Sequence, residues 1–385
     1  MVAQRFGVAV VGAGMAGASA AFYLSRNHRV VVLERESHPG YHTTGRSAAL
    51  YSQTYGNAII RSLTRASWSF FNQPPAGFSD TALLGARGAV FIGEPGDESF
   101  MRDMLAQMRS QVPSVHWIAG DALQSLMPVL QPSFAQGAVF EPDAMDMDVH
   151  AIHQGFLRGA RGLGAQLYCD APVLALHEQG SGWLLETPKG EFQVNVVVNA
   201  AGAWCDDLAR LAGVRPIGLT PKRRTAFLSD APEGMDCGAW PAVIDARERF
   251  YFKPDAGLLL MSPANEDPMM PQDVQAEELD IALAVDRIES ATALKIRRIR
   301  RKWAGLRSFV ADKTPVVGFD DQARGFFWLA GQGGYGIQTA PAMGLLAATL
   351  VDDTTLPASL SDHGVGAEDL AVTRPTLDRR YSDLP

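Results

Sequence analysis

Three glycines and one acid near the start of the chain are the residues best suited to chemistry. Gly12, Gly14 and Gly17 have G-x-G-x-x-G spacing: the first permits a tight turn, the second lets backbone approach a pyrophosphate, and the third lets a helix pack closely on a strand. Glu34 is placed to accept hydrogen bonds from ribose hydroxyls. The elements that must hold these residues are a buried strand carrying Val8, Val10 and Val11, an alanine-rich helix reaching Ser25, and a second strand from Val30 to Leu33. Strand, turn, helix, strand and terminal acid in that order form one dinucleotide-binding βαβ unit. Residues 1–21 could also be read as a secretory leader with Arg5 as its charge and Ala18-Ser19-Ala20 before a cleavage point, but that leaves the position of Glu34 unexplained. A membrane span there would be crowded with glycine and alanine.

The 385 residues are 47% hydrophobic and 20% charged, enough for large cores and two domains. A formal net charge of −8 gives no basic field for nucleic acid or an anionic membrane, so an anionic substrate needs a local basic pocket. Cys169, Cys205 and Cys237 are widely spaced and lack any C-x-x-C pattern. They read as buried thiols of a cytoplasmic protein, with no metal site. No transmembrane segment is expected, peripheral membrane association stays open, and oligomeric state is not legible.

Downstream, Thr43-Thr44-Gly45-Arg46-Ser47 predicts a helix beginning near Ser47, its free N–H groups aimed at an anion with Arg46 as countercharge. Helices are expected over 59–71, 98–109, 148–163 and 277–292, and a helical turn before Pro128. Strands are expected at 89–92, 166–169, 172–177, 225–228, 250–253, 258–261 and 326–330, with a strand pair over 182–198 closing on the small residues Asn199 to Ala203. Lys222-Arg223-Arg224 could be a solvated turn, and Arg297 to Lys302 a solvated strand face. Gly331-Gln332-Gly333-Gly334-Tyr335-Gly336 repeats the glycine spacing, yet Asp352 and Asp353 lead into Thr, Pro and Ser, so no second βαβ unit follows. It reads as a second helix N-terminus aimed at the same cofactor, starting near Gln338 or Thr339 because Pro341 fits a first turn. The tail after Leu356 is expected to be loosely ordered.

The motifs GAGMAG, TTGRSA, VVNAAGAW, WAGLR and GQGGYGIQ, spread over essentially the whole chain, resemble those of the flavin-dependent D-amino acid oxidase and dehydrogenase superfamily. YHTTGRSAA, PKRRTAF, FYFKPDAG and GLRSFVAD look most like the bacterial D-arginine dehydrogenase group. The resemblance implies α/β plus α+β architecture: a Rossmann-like FAD-binding domain of glutathione-reductase type from residues 1–80, 145–214 and 308–385, and a substrate domain on a mixed β-sheet from 81–144 and 215–307. It implies FAD bound non-covalently, with Gly12, Gly14, Gly17, Glu34, Arg35, Thr44, Gly45, Arg46, Ser47 and Ala49 holding the ADP half. Val173 would lie near adenine, Ala201 and Gly202 near the ribityl chain, and Gly334, Gly336, Ile337 and Gln338 along the isoalloxazine.

For the substrate, the resemblance implies that Tyr55, Arg224, Tyr251 and Arg307 grip an α-carboxylate, because arginine offers a bidentate fork and tyrosine a further donor. The amino acid would then lose hydride from Cα to flavin N5, giving an imine that hydrolyses to a 2-oxo acid and ammonia, with oxygen or a quinone-like acceptor reoxidising the flavin. Leu50, Ala89, Ala242, Ile244 and Gly334 would line the side-chain end of the pocket. D-Arginine dehydrogenases carry an acid where Ala89 stands and a histidine where Leu50 stands, which implies a preference for apolar D-amino acids. The alternatives are oxidation of a secondary amine of glycine or sarcosine type or of a 2-hydroxy acid, and a flavin-bearing electron-transfer or structural subunit.

Overall fold

The protein is described by a computed structural model covering residues 3–377 and 379. At its centre Val8–Val11 is buried along its whole length and pairs in parallel with Val30–Leu33 on one side and Val196–Asn199 on the other. Val10 lies between Val32 and Val198. β-branched residues buried on both faces suit a parallel strand flanked by helices. The six-stranded sheet runs 166–168, 30–33, 8–11, 196–199, 326–330 and 316–319, with the last pair antiparallel. Strand order therefore reverses beside Val8–Val11, and the crevice at the carboxyl ends of such strands is where ligands bind in sheets of this kind.

Met15–Leu24 packs against Ala340–Val351, and the two helices come so close that a Cβ on Gly344 would press on the Ser19 backbone. The start of the second helix at Ala340, with Pro341 in its first turn, agrees with the sequence reading. Helices at 58–72, 98–109, 149–162 and 278–291 also agree.

Among the described residues a nine-stranded mixed sheet forms the second layer. It runs 267–268, 220–230, 258–262, 251–255, 242–245, 89–92, 137–141 and 116–119, and 299–309 pairs along 220–230. The expected α/β plus α+β class is the one observed. Lys222, Arg223 and Arg224 belong to the long strand Thr220–Asp230 and not to a turn. A three-stranded sheet (50–51, 145–147, 84–86) and a four-stranded one (4–5, 190–194, 182–187, 175–179) complete the fold.

Several local expectations are corrected. No helix begins at Ser47: Thr43–Arg46 is a short 3-10 turn, Ser47 is extended, and Leu50–Tyr51 is a strand. Tertiary bonds govern that segment, since Thr43 donates to the Leu306 carbonyl and Thr44 Oγ1 accepts from the Met15 N–H. The strand placed at 172–177 begins at Ala175, past Pro172, which has no N–H for a ladder. The pair over 182–198 is three strands, the third joining the central sheet. The tail as far as residue 377 also packs, with Leu360, Leu370 and Val372 buried and Ala358–Ser361 helical, while residues 378 and 380–385 lie outside the described residues. Among the thiols, Cys205 and Cys237 are buried and Cys169 is half-buried.

Candidate functional site

A cavity of about 850 Å³ runs from the first glycine turn to the inner face of the mixed sheet. At the nucleotide end, Gly12 has φ +101°, and a Cβ there would overlap the Ala200 carbonyl. Gly17 is equally constrained, because its Cβ would overlap the Gly12 carbonyl oxygen. Gly12 and Gly14 line the cavity and Gly17 does not, so the first two approach the ligand and the third seats the helix.

Glu34 is buried and also lines the cavity. Its Oε2 accepts from the Ala13 N–H at 2.8 Å and its Oε1 from the Glu36 N–H at 3.0 Å, which fixes the carboxylate beside the turn with lone pairs to spare. The Met15 N–H is taken by Thr44 Oγ1 at 2.9 Å, while the Gly14 N–H has no acceptor among the described residues. This donor set, a helix N-terminus with an open amide and a fixed acid beside it, fits the pyrophosphate and ribose of a dinucleotide.

Arg35, Thr44, Ser47, Ala49, Val173, Ala201 and Gly202 are brought to the same wall. Arg35 lies 4.8 Å above the Trp204 ring and His42 is 4.7 Å from it, tilted, so both gather on Trp204, a cavity-lining residue that sequence reading missed although it sits inside VVNAAGAW. Gly45 is outside the wall; a Cβ there would press on the Gly40 carbonyl. Arg46 reaches the cavity but spends its guanidinium elsewhere, on Asp273 at 2.5 Å and on the Val274 and Ala304 carbonyls. The phosphate countercharge expected of it is thus a strut to the mixed-sheet layer.

The glycine-rich turn supplies Gly334, Tyr335, Gly336 and Ile337 to the cavity. Gln338 does not join them: it is buried, donating to Thr64 Oγ1 at 2.8 Å and accepting from the Ser52 N–H at 3.2 Å. It ties the turn to the segment that carries Tyr55.

Beside this turn the strands deliver Arg224, Tyr251 and Arg307 to the cavity, and the loop after Tyr51 delivers Tyr55. The two arginine side chains are 12% and 13% exposed, so their charges meet little water. Arg307 Nη2 donates to the Tyr55 hydroxyl at 2.6 Å, and the Tyr55 ring lies 4.7 Å from that of Tyr335. Burial, and next the charge of Arg307, lower the pKa of Arg224. Two close, poorly solvated guanidiniums are a site for an anion. Tyr335 stood in the glycine-rich motif without an assigned role; burial raises its pKa, so it stays a neutral donor.

The side-chain end of the cavity is built by Leu50, Ala242, Ile244 and Phe91. Ala89 is not part of it. It opposes Ala242 on one side and Glu141 on the other and is fully buried. Glu141, also missed, accepts from Ser52 Oγ and Thr54 Oγ1, both at 2.8 Å, and from the Gln53 N–H at 3.1 Å, and burial raises its pKa. Glu141, paired with Ala89 on the neighbouring strand, thus holds the Tyr55 loop and does not line the cavity. Arg61 and the exposed Glu248 also line the cavity, and neither carried a sequence motif. Among the described residues no cysteine lines it, no cluster could hold a metal, and no helix is long and apolar enough to cross a membrane.

The sequence profile described as DAO, FAD dependent oxidoreductase, matches residues 7–350. Glycine oxidase of Geobacillus kaustophilus (strain HTA426) is 25% identical over 367 residues, covering 91% of this chain and 93% of its own length. Dimethylglycine dehydrogenase of Mus musculus is 23% identical over 362 residues, 89% of this chain but 42% of that longer protein. Among solved structures, L-proline dehydrogenase from P. horikoshii has the same fold, with a TM-score of 0.84 at 20% identity over 97% of this chain and 98% of that one. These likenesses carry the broad resemblance read from the motifs and not its D-arginine dehydrogenase branch. With a profile match over most of the sequence and a dinucleotide cradle at its centre, the chain belongs to the DAO family of FAD-dependent oxidoreductases.

Proposed function

We propose that this enzyme oxidises the carbon–nitrogen bond of a small amine bearing a carboxylate, with glycine- or sarcosine-type substrates first. The observation that carries the reading is the pair Arg224 and Arg307, facing the cavity with Tyr55 and Tyr251 beside the Gly331–Gly336 turn. A planar carboxylate matches a guanidinium fork, and phenol hydroxyls add donors. The names of the glycine oxidase and dimethylglycine dehydrogenase relatives support a substrate with a carboxylate, an amine and little side chain.

FAD, when bound, supplies the two-electron acceptor. Gly12, Gly14 and Glu34 would hold its nucleotide half, and Gly334, Gly336 and Ile337 would border its reactive half. Arg224 and Arg307 fix the carboxylate, so the amine carbon is presented toward that turn; positioning of this kind lowers the barrier without a dedicated base. In this reading residues 1–80, 145–214 and 308–385 form the cofactor domain, and 81–144 and 215–307 the substrate domain.

A second reading, a D-amino acid with an apolar side chain, is favoured by the Leu50, Phe91, Ala242 and Ile244 wall. Anaerobic mixing of the yellow holoenzyme with glycine, sarcosine, dimethylglycine and panels of D- and L-amino acids separates the two. Bleaching by the glycine series supports the first, and faster bleaching by D-leucine or D-phenylalanine the second. Bleaching by none of these removes both. Reoxidation by air against reoxidation by a soluble quinone then assigns the electron acceptor.

A further inference from the structure

Lys222, Arg224 and Arg307 collect on one side of the mixed sheet. Lys222 and Arg224 are two apart on one strand and share a face, and Lys222 opposes Arg307 on the next. One acid touches all three. Glu266 Oε2 lies 3.1 Å from Lys222 Nζ, and its Oε1 lies 3.2 Å from Arg224 Nη2 and 3.9 Å from Arg307 Nη1. Arg224 and Arg307 line the cavity, whereas Glu266 does not, so its carboxylate meets the guanidiniums from the side away from a ligand.

The turn that brings Glu266 there is built for the purpose. Ala264 has φ +52°, a left-handed conformation unfavourable for a non-glycine residue, and its N–H is held by Ser262 Oγ at 3.1 Å. The turn aims two successive acceptors at one guanidinium: the Asn265 carbonyl accepts from Arg224 Nε at 2.8 Å, and Glu266 accepts from Nη2. The Asn265 side chain locks the turn in place, accepting from the Thr225 N–H at 2.9 Å and donating to Asp280 at 3.1 Å. Arg224 Nη1 has no partner among the described residues and is left for a ligand. The bonds from Lys222 and the charges of Arg224 and Arg307 outweigh burial and hold Glu266 below the usual carboxylate range, so it is ionised when the clamp works.

We propose that Glu266 is a positioning residue of the carboxylate clamp: it fixes Arg224 and restrains Arg307 so that both present their free N–H groups to one substrate carboxylate. This rests on the clamp reading given under the proposed function. A side chain aimed by a fixed partner loses less entropy on meeting its ligand.

The test uses holoenzyme and propionate as probe, with affinity read from the perturbed absorption of the bound flavin, and with KM and kcat for whichever substrate bleaches it. Glu266→Ala is expected to weaken propionate and raise KM by about tenfold or more, equal to ~1.4 kcal/mol, with kcat little changed. Glu266→Gln keeps an oxygen acceptor for Arg224 and is expected to recover most of that loss. Propionate affinity unchanged in the alanine variant overturns the proposal; equal loss in both variants assigns the effect to charge and overturns it too. If the alanine variant does not fold, Glu266→Asp, whose shorter side chain cannot reach both arginines, takes its place with the same expected weakening. Arg307→Ala separates the two levels. If it leaves propionate binding intact, the clamp reading itself falls, whereas if it abolishes binding while Glu266→Ala does not, the clamp stands and the role of Glu266 falls.

Discussion

The Arg307 guanidinium rests directly on the backbone of Gly334: a Cβ built on that glycine would overlap Nη2 and Cζ of the arginine. In the proposed reading the glycine-rich turn would thus border the cofactor and also seat the Arg307 cation of the carboxylate clamp. Gly334→Ala pushes on the free end of a flexible side chain, so the fold survives while Arg307 moves. We expect kcat/KM to fall by about one to two orders of magnitude, ~1.4–2.7 kcal/mol, with flavin content and melting temperature close to wild type. Unchanged kcat/KM would show that Arg307 does not act from this seat.

Arg307 is also joined to Tyr55 by a 2.6 Å hydrogen bond between side chains brought from distant parts of the chain. Arg307→Ala should cost about 2–5 kcal/mol in substrate binding, because the partner charge is left in a poorly solvated site. Tyr55→Phe removes one hydroxyl and should raise KM less. If the two act as one grip, the double variant will fall short of the sum of the singles by about 0.5 kcal/mol or more. Strict additivity in KM would place Tyr55 outside the grip.

How much of this was legible follows from the range of each signal. The Val8–Leu33 unit is local: glycine spacing, a strand pattern and a terminal acid lie within one short window, and the structure reproduces it. Pro341 likewise marks its helix start by local geometry alone. The strand Ala242–Asp245 escaped notice because its parallel partner, Ala89–Ile92, lies some 150 residues earlier, and four residues carry too little pattern by themselves. The same register decides what Ala89 faces. Its neighbours Ala242 and Glu141 are supplied by strands that only the assembled sheet brings together. Glu266 was invisible for a related reason, since its role is set by the left-handed turn at Ala264 and by cations on two other strands.

The third glycine of the opening turn gives a prediction about the cofactor. A Cβ on Gly17 would overlap the carbonyl oxygen of Gly12, and backbone cannot step aside as the Arg307 side chain can. Gly17→Ala must therefore lift the helix from the strand, at a cost of about 1–3 kcal/mol. The flavin-to-protein ratio on purification should drop, and added FAD should restore less of the melting temperature than it does for wild type. Full flavin occupancy at wild-type stability would contradict the packing described here.

The packed C-terminal segment should respond to acid. The Arg374 side chain is 4% exposed; its Nε and Nη2 donate to Asp312 at 2.8 and 3.0 Å, and Nη2 also reaches the Thr314 carbonyl at 2.7 Å. Burial pushes the Asp312 pKa up, but hydrogen bonds from Arg374, Thr376 and the Thr314 N–H outweigh it, and the net shift is below the usual value of 3.8. The folded pKa is thus lower than the unfolded one, so the unfolded chain binds more protons between the two. The pair's contribution is fully present above pH 3.8 and is lost as pH falls through the depressed folded value. Asp312→Asn leaves the buried guanidinium without its anion and should cost about 3 kcal/mol at pH 7. The gap in stability between wild type and this variant should hold steady down to pH 4 or so and narrow below the usual aspartate value. Limited proteolysis should cut residues 357–377 of the variant at pH 7, while wild type becomes susceptible there in acid. A gap that stays constant through that acid range would mean that the pair does not hold the segment.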